Sequence, residues 1–176
     1  EKMVLYDTTN EKLKFVDKEI KNHNILKNIQ PYKHLDVIEI SKSRENYFSK
    51  VCKHILNVGG MMITIDYGYL EKPKKFTLQS VYNNKNSNVL DNIGNQDITS
   101  LVDFKSLISI AKSYNLKIDI FSNQRDFLIQ NGVYERLKKI LLNCKMNEGN
   151  IIKDSLNRII DQNNMGSIFK VLVVSK

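Results

Sequence analysis

No stretch of this sequence approaches the roughly 20 apolar residues that a bilayer-spanning helix needs, so it offers no transmembrane helix. The opening residues, Glu1-Lys2-Met3-Val4, lack a basic segment followed by an apolar one, and no signal peptide is visible. Cysteine is scarce. Cys52 and Cys144 lie far apart among apolar residues, which makes neither a disulfide framework nor a zinc site and fits a reducing compartment. The three histidines, His23, His34 and His54, have no ligand spacing with one another or with the cysteines, so no metal site is read. Short catalytic signatures are missing too. There is no GxGxxG after a strand, no GxxxxGK followed by Ser or Thr, no HExxH and no nucleophile elbow. No Ser-His-Asp or Cys-His set stands out. These gaps remove the common nucleotide-binding, zinc-peptidase and hydrolase readings.

What is present is an ordinary globular composition, 41% hydrophobic and 26% charged, over 176 residues. That is enough for one domain with a real core or for part of a larger one. The net charge of +8 raises the case for an anionic partner. The lysines are scattered, however, and the densest run, Lys72-Pro73-Lys74-Lys75, has no aromatic stacking platform beside it. It reads as a solvated loop, and no nucleic-acid partner is expected.

Periodicity gives a mixed α/β order. Residues 3–16 read as a β-hairpin around the turn residues 7–11. Residues 17–34, with Pro31, read as irregular, and 35–41 alternate as a short strand. Residues 43–57 carry a helical stripe, with Ser43 as its cap and Gly59 as its stop. Met-Met-Ile-Thr-Ile at 61–65 is apolar throughout, as a strand buried on both faces of a parallel sheet would be. Residues 69–97 read as a long polar loop. A helix over 104–114, capped by Asp103 and closed by Asn115 in the left-handed region, leads to a strand at 116–121. Helices near 124–131, 133–144 and 150–160 follow, then a strand at 168–175. No interdomain linker is visible, and residues 1–176 read as a single domain. Strand 61–65 has few partners for one edge, an association liability.

In α/β sheets, ligands bind beyond the carboxyl ends of the strands. Asp66-Tyr67-Gly68 falls at such an end, as a ligand-facing wall or as loop amides satisfied and core capped. Both readings are open. Asp97, Thr99 and Asp103 in "DITSLVDF" read as two caps in series or as a second site segment. In "MGSIFKVL", a glycine turn enters a strand and Lys170 is an exposed position.

The segments "GGMMITIDYGYL", Thr77-Leu78-Gln79, "DITSLVDF", "NQRDFLIQNGV" and "MGSIFKVL", in this order, resemble the MidA family of S-adenosylmethionine-dependent methyltransferases. The resemblance covers nearly the whole chain. It implies a partial class I, Rossmann-like methyltransferase sheet, contributing the fifth to seventh strands with a β-hairpin and helical insertions. The family's glycine-rich cofactor loop and acidic ribose-binding residue have no counterpart here, so the chain corresponds to the C-terminal part of such a domain. The implied activity is protein arginine methylation linked to respiratory complex I assembly. The implied cofactor is S-adenosylmethionine, although its main binding motif is absent from this chain, which alone is expected to be inactive. The partners expected are a protein substrate and a separate N-terminal half or a second copy. The compartment the resemblance implies is the bacterial cytoplasm or, in a eukaryote, the mitochondrial matrix. Asp66, Tyr67 and Asp103 stand as catalytic candidates, the carboxylates suiting a guanidinium. Gln79 and Thr99 stand as substrate-binding candidates. Asn84, Leu101 and Asn123 replace the histidines and threonine usual in the family. The alternative reading is a non-catalytic remnant or interaction module from a truncated or split gene.

Overall fold

The computed structural model describes residues 1–176. They fall into two compact units, each built from two separate stretches of chain. Glu1–Ile40 and Lys72–Ser100 form one; Ser41–Glu71 and Leu101–Lys176 form the other. No helix is long and apolar enough to cross a membrane.

In the first unit, β1 (Lys2–Asp7) and β2 (Lys12–Asp17) pair as the expected hairpin. Asp7 Oδ1 accepts from the amides of Thr9 and Asn10, and Oδ2 binds Lys14 at 2.9 Å. The Lys14 ammonium, with these donors, lowers the Asp7 carboxyl to about 2. Residues 17–34 are not irregular throughout. Asn22 caps α1 (His23–Ile29), its Oδ1 accepting from the amides of Asn24 and Ile25, and a 3₁₀ turn with Pro31 follows over Gln30–Tyr32. Residues 35–41 form no strand. Their backbone lies free of any ladder, and Glu39 reaches across to Thr77 and Leu78 instead. The long polar segment is not simply a loop either. It folds as β4 (Gln79–Tyr82), β5 (Lys85–Ser87) and β6 (Asp97–Thr99), a small antiparallel sheet ordered β5–β4–β6. Asn83 and Asn84, both at positive φ, make the tight turn between β4 and β5. Polar residues hide this sheet from a hydrophobic-pattern reading. Its one buried side chain is Ser80, which bonds Ser87, whose hydroxyl in turn donates to Gln96.

The second unit opens with α2 (Lys42–Val58), whose N-cap is Ser41 rather than Ser43. Gly59, at φ 84, ends it, its amide donating to Ile55 O. β3 (Met61–Tyr69) follows, then β7 (Val102–Asp103), α3 (Phe104–Ser113) and β8 (Lys117–Asn123). Asp103 and Asn115 behave as the sequence suggests. Asp103 Oδ1 accepts from Ser106 N at 3.0 Å, and Asn115 sits at φ 56. The remaining elements are α4 (Gln124–Gln130), α5 (Val133–Leu141), α6 (Met146–Ile160), α7 (Met165–Ile168) and β9 (Phe169–Ser175). Helix α6 starts earlier than its apolar pattern suggests. It runs through Gly149, where a Cβ would press on Leu141 at 3.2 Å, so a bare backbone lets α5 and α6 close up.

The sheet order is β7–β3–β9–β8, with β9 antiparallel to both β3 and β8 and β7 parallel to β3. One face packs Met62, Leu172 and Val174 on Phe48, Cys52, Ile55, Phe104, Leu107 and Ala111. The expectation that strand 61–65 is buried on both faces is corrected here. Met61, Ile63 and Ile65 on the opposite face are 65%, 52% and 47% exposed, because no helix of the chain covers them. Along its outer edge β3 is paired only at Gly68 and Tyr69, by β7.

An unpaired edge beside an exposed apolar row favours association. The isolated 176-residue chain is expected to show a mass above the monomer in light scattering, rising with concentration. Replacing Ile63 and Ile65 by lysine should return it to a monomer. A monodisperse monomer from the unaltered chain overturns this.

Candidate functional site

Asp66, Tyr67 and Gly68 lie inside β3, not beyond it, because the strand continues to Tyr69. Asp66 Oδ1 accepts from the Tyr67 amide at 2.8 Å, and the side chain enters no ion pair. The Tyr67 ring rests on Phe169, its cross-strand partner, with centroids 4.4 Å apart. Gly68 lets β7 and α3 close on β3. A Cβ there would stand 2.3 Å from Val102 O and 2.6 Å from the Phe104 ring. Asp103 is the register partner of Tyr69 and starts α3. The structure therefore brings Asp66, Tyr67 and Asp103 to one end of one sheet. Asp103 acts as a helix cap, while Asp66 has a carboxylate oxygen to spare.

The starts of α2 and α3 are tied together at this end. Glu45 accepts from the Ser106 hydroxyl at 3.0 Å, and Arg44 donates to Leu101 O at 3.2 Å. Lys105 pairs with Glu71 at 3.3 Å. Two helix starts and one strand end thus share a polar rim, where the helix starts favour negative charge.

Gln79 and Thr99 belong to the other unit, so the structure does not group them with Asp66. They face each other as register partners at the start of β4 and the end of β6. The reading of Asp97 and Thr99 as a turn cap fails, since both are in a ladder. Beside them an open concavity of about 530 Å³ is lined by Val81, Asn83, Asn84, Gly94, Asn95, Gln96 and Asp97. Its amides can bind by hydrogen bonds, but apart from Asp97 it holds no titratable group.

Three features escaped the sequence reading. Glu39 accepts from the amides of Thr77 (2.8 Å) and Leu78 (3.1 Å) and from the Thr77 hydroxyl, fixing the segment that leads into Gln79. Gln124 and Arg125 donate to Ile159 O and Ile160 O, satisfying carbonyls at the C-terminus of α6. Lys170 is not an exposed strand position. It is half-buried, its Nζ donates to Asn123 Oδ1 at 2.7 Å and to Ser167 O, and burial pushes its ammonium down from the ordinary range. Apart from the bond between Lys170 and Ser167, these interactions join residues distant in sequence, which no local pattern signals. Cys52 is fully buried, its thiol pushed up by desolvation, which removes it as a nucleophile. No cluster of His, Cys, Asp and Glu is placed to hold a metal ion.

A family model described as "Putative S-adenosyl-L-methionine-dependent methyltransferase" matches residues 1–122. The "Protein arginine methyltransferase NDUFAF7 homolog, mitochondrial" of Caenorhabditis elegans is 29% identical over 109 residues, covering 61% of this chain and 25% of that protein. Two crystal structures from Burkholderia thailandensis superpose on 99% of this chain. One, an uncharacterized superfamily protein, has a TM-score of 0.84 at 19% identity and is covered over 48% of its length. The other, solved with S-adenosyl-homocysteine bound, has a TM-score of 0.82 at 18% identity and is covered over 46%. The chain thus spans a quarter of the curated relative and about half of each solved structure. The structural likeness carries the fold: a mixed α/β sheet of the Rossmann-like methyltransferase type, with β3, β8 and β9 as its fifth, sixth and seventh strands.

The close approach at Gly68 can be tested directly. Gly68→Ala should lower stability by about 3 kcal/mol through overpacking, a fall in Tm of roughly 6–12 °C. Thermal unfolding followed by circular dichroism measures it, and an unchanged Tm would show that β3 and β7 do not meet as described.

Proposed function

The chain belongs to the family of S-adenosyl-L-methionine-dependent methyltransferases whose model matches residues 1–122, the MidA family of the sequence resemblance, and from that premise we propose that it is the C-terminal portion of a protein arginine methyltransferase. The observation that carries this reading is Asp66 at the carboxyl end of β3, whose carboxylate keeps an oxygen unengaged. Such a carboxylate binds a guanidinium through charge-assisted hydrogen bonds. Tyr67, the next residue along the strand, turns to the other face of the sheet and rests on Phe169, so its proposed part is to shape the strand end rather than to touch the same guanidinium. Arginine is proposed as the substrate on the likeness to the Caenorhabditis elegans protein, which its name describes as a protein arginine methyltransferase. Asp103 supports the rim by fixing the start of α3. Gln79 and Thr99 are proposed to bind the substrate protein. A role in respiratory complex I assembly, and a mitochondrial matrix location in a eukaryote, rest on the family resemblance and on the mitochondrial relative.

The residues of this chain do not by themselves fit the cofactor. The adjacent glycines Gly59 and Gly60 lie at the amino end of β3, opposite the site. No glycine-rich turn leads from a strand's carboxyl end into a helix here, the arrangement that cradles such ligands. The proposal therefore assigns this chain the substrate wall and assigns cofactor binding to a further segment or a separate N-terminal half. The same misfit favours the second reading, a non-catalytic interaction module.

Calorimetric titration of the 176-residue chain with S-adenosylmethionine separates the readings. No tight binding by the chain alone, and binding once a glycine-rich N-terminal half is added, is the expected result. No binding in either case supports the non-catalytic module. In the assembled, active protein, Asp66→Asn should cut kcat/KM by roughly 10- to 100-fold, the loss of one charge-assisted bond. Undiminished turnover would remove Asp66 from the site.

A further inference from the structure

Asp66, Lys170 and Asn123 form one row across β3, β9 and β8, each the register partner of the next. Directly opposed side chains in an antiparallel pair have Cβ atoms about 5 Å apart. Lys170 is therefore well placed to form an ion pair with Asp66, yet it does not. Its ammonium is drawn the other way, to Asn123 Oδ1 at 2.7 Å and to the Ser167 carbonyl. That turns the ammonium toward β8, which lies across β9 from β3.

Asn123 breaks a local rule to do this. It is the N-cap residue of α4, and asparagine is among the best capping residues, but its side chain makes no cap bond. Its oxygen is spent on Lys170 instead. A residue that gives up a local stabilising bond for a distant one marks a position set by something other than helix stability.

We propose that Asn123 is a specificity-determining residue that parks the Lys170 ammonium away from Asp66 and so keeps that carboxylate open to a cationic ligand. This rests on the reading of Asp66 as a guanidinium-binding group, but the parking itself is testable without it. Without Asn123, Lys170 would retain one neutral carbonyl acceptor within reach of a carboxylate, and the charged acceptor forms the stronger bond. The site would then neutralise itself.

The test is a pair of double-mutant cycles on thermal stability, using Asp66→Asn and Lys170→Met in the unaltered chain and in an Asn123→Ala background. In the unaltered chain the two changes should be additive in Tm. In the Asn123→Ala background they should be coupled, the pair worth about 2–4 °C beyond additivity. Asn123→Asp, which can still hold the ammonium, should behave like the unaltered chain, and Asn123→Leu, which cannot hold it, takes the place of Asn123→Ala if that variant does not fold. Equal coupling in the unaltered chain and in the background whose residue 123 cannot hold the ammonium overturns the proposal. A second readout is calorimetric affinity for an arginine-containing peptide against its citrulline counterpart, in the assembled protein. Asn123→Ala should weaken the arginine peptide at least about 10-fold, one charge-assisted bond's worth, and adding Lys170→Met should restore it. Additive cycles in the unaltered chain and coupled ones without Asn123, together with no arginine preference, would uphold the parking and refute the guanidinium reading.

Discussion

The second unit depends on β9. Its central residues, Val171, Leu172, Val173 and Val174, are 0–4% exposed, and it lies antiparallel between β3 and β8, which touch no other strand except the short β7. Each buried aliphatic side chain contributes about 1.5–3 kcal/mol, so this strand holds much of the unit's apolar stabilisation. Leu172 and Val174 face the α2–α3 core, while α4 and α7 touch the strand as well. Phe169 and Lys170 start the same strand. The element that closes the core thus also supplies the ring behind Tyr67 and the cation beside Asp66. Because β9 is the last strand in the chain, its pairing with β3 is highly non-local. Such closure costs loop entropy before contacts repay it.

Periodic segments were legible in the sequence because their signals are local. The α2 and α3 stripes, the Asp103 cap, the left-handed Asn115 and the hairpin all depend on residues a few positions apart. The small β4–β5–β6 sheet was not legible, since its strands are polar and its buried centre is a serine network rather than an aliphatic row. Strand 35–41 was a false signal of the opposite kind. Its alternation is real, but Glu39 is there to receive donors from Thr77 and Leu78, not to alternate in a ladder. The apolar run at 61–65 suggested burial on both faces, and burial on one was found. The candidate site was legible as an address, the end of β3, but not as an arrangement, because the arrangement is made by cross-strand partners.

Two of the motifs behind the family resemblance turn out to be a single mechanical part. Gln124 and Arg125 bind the last carbonyls of α6, where a cation also suits the helix dipole. Gly166 sits so close to Ile160 that a Cβ would lie 2.5 Å from its carbonyl oxygen. Arg125 and Gly166 thus meet on the same carbonyl, one by bonding it and one by leaving room. The corner from β8 into α4 and the corner from α6 into β9 are locked together there. Their adjacency to Asp66 comes through Asn123 and Lys170, which begin α4 and β9 respectively. A structural latch and the neighbours of the candidate site share the same few residues, so a motif match alone does not separate the two roles.

Charge sharpens what Asp66 must do. If the substrate is an arginine, as proposed, a chain of net charge +8 repels it at a distance, although screening limits that repulsion to about 8 Å at physiological ionic strength. Inside that distance only nearby groups matter. The nearest cation in the sheet is Lys170, directly opposite on the next strand. A carboxylate paired with it would present no net charge to a guanidinium, and the surrounding lysines would then dominate. Turning the ammonium toward Asn123 converts a neutral pair into a carboxylate and a cation separated across β9. On the proposed reading of Asp66, the direction taken by one lysine side chain decides whether the end of β3 attracts a cation or merely completes a fold.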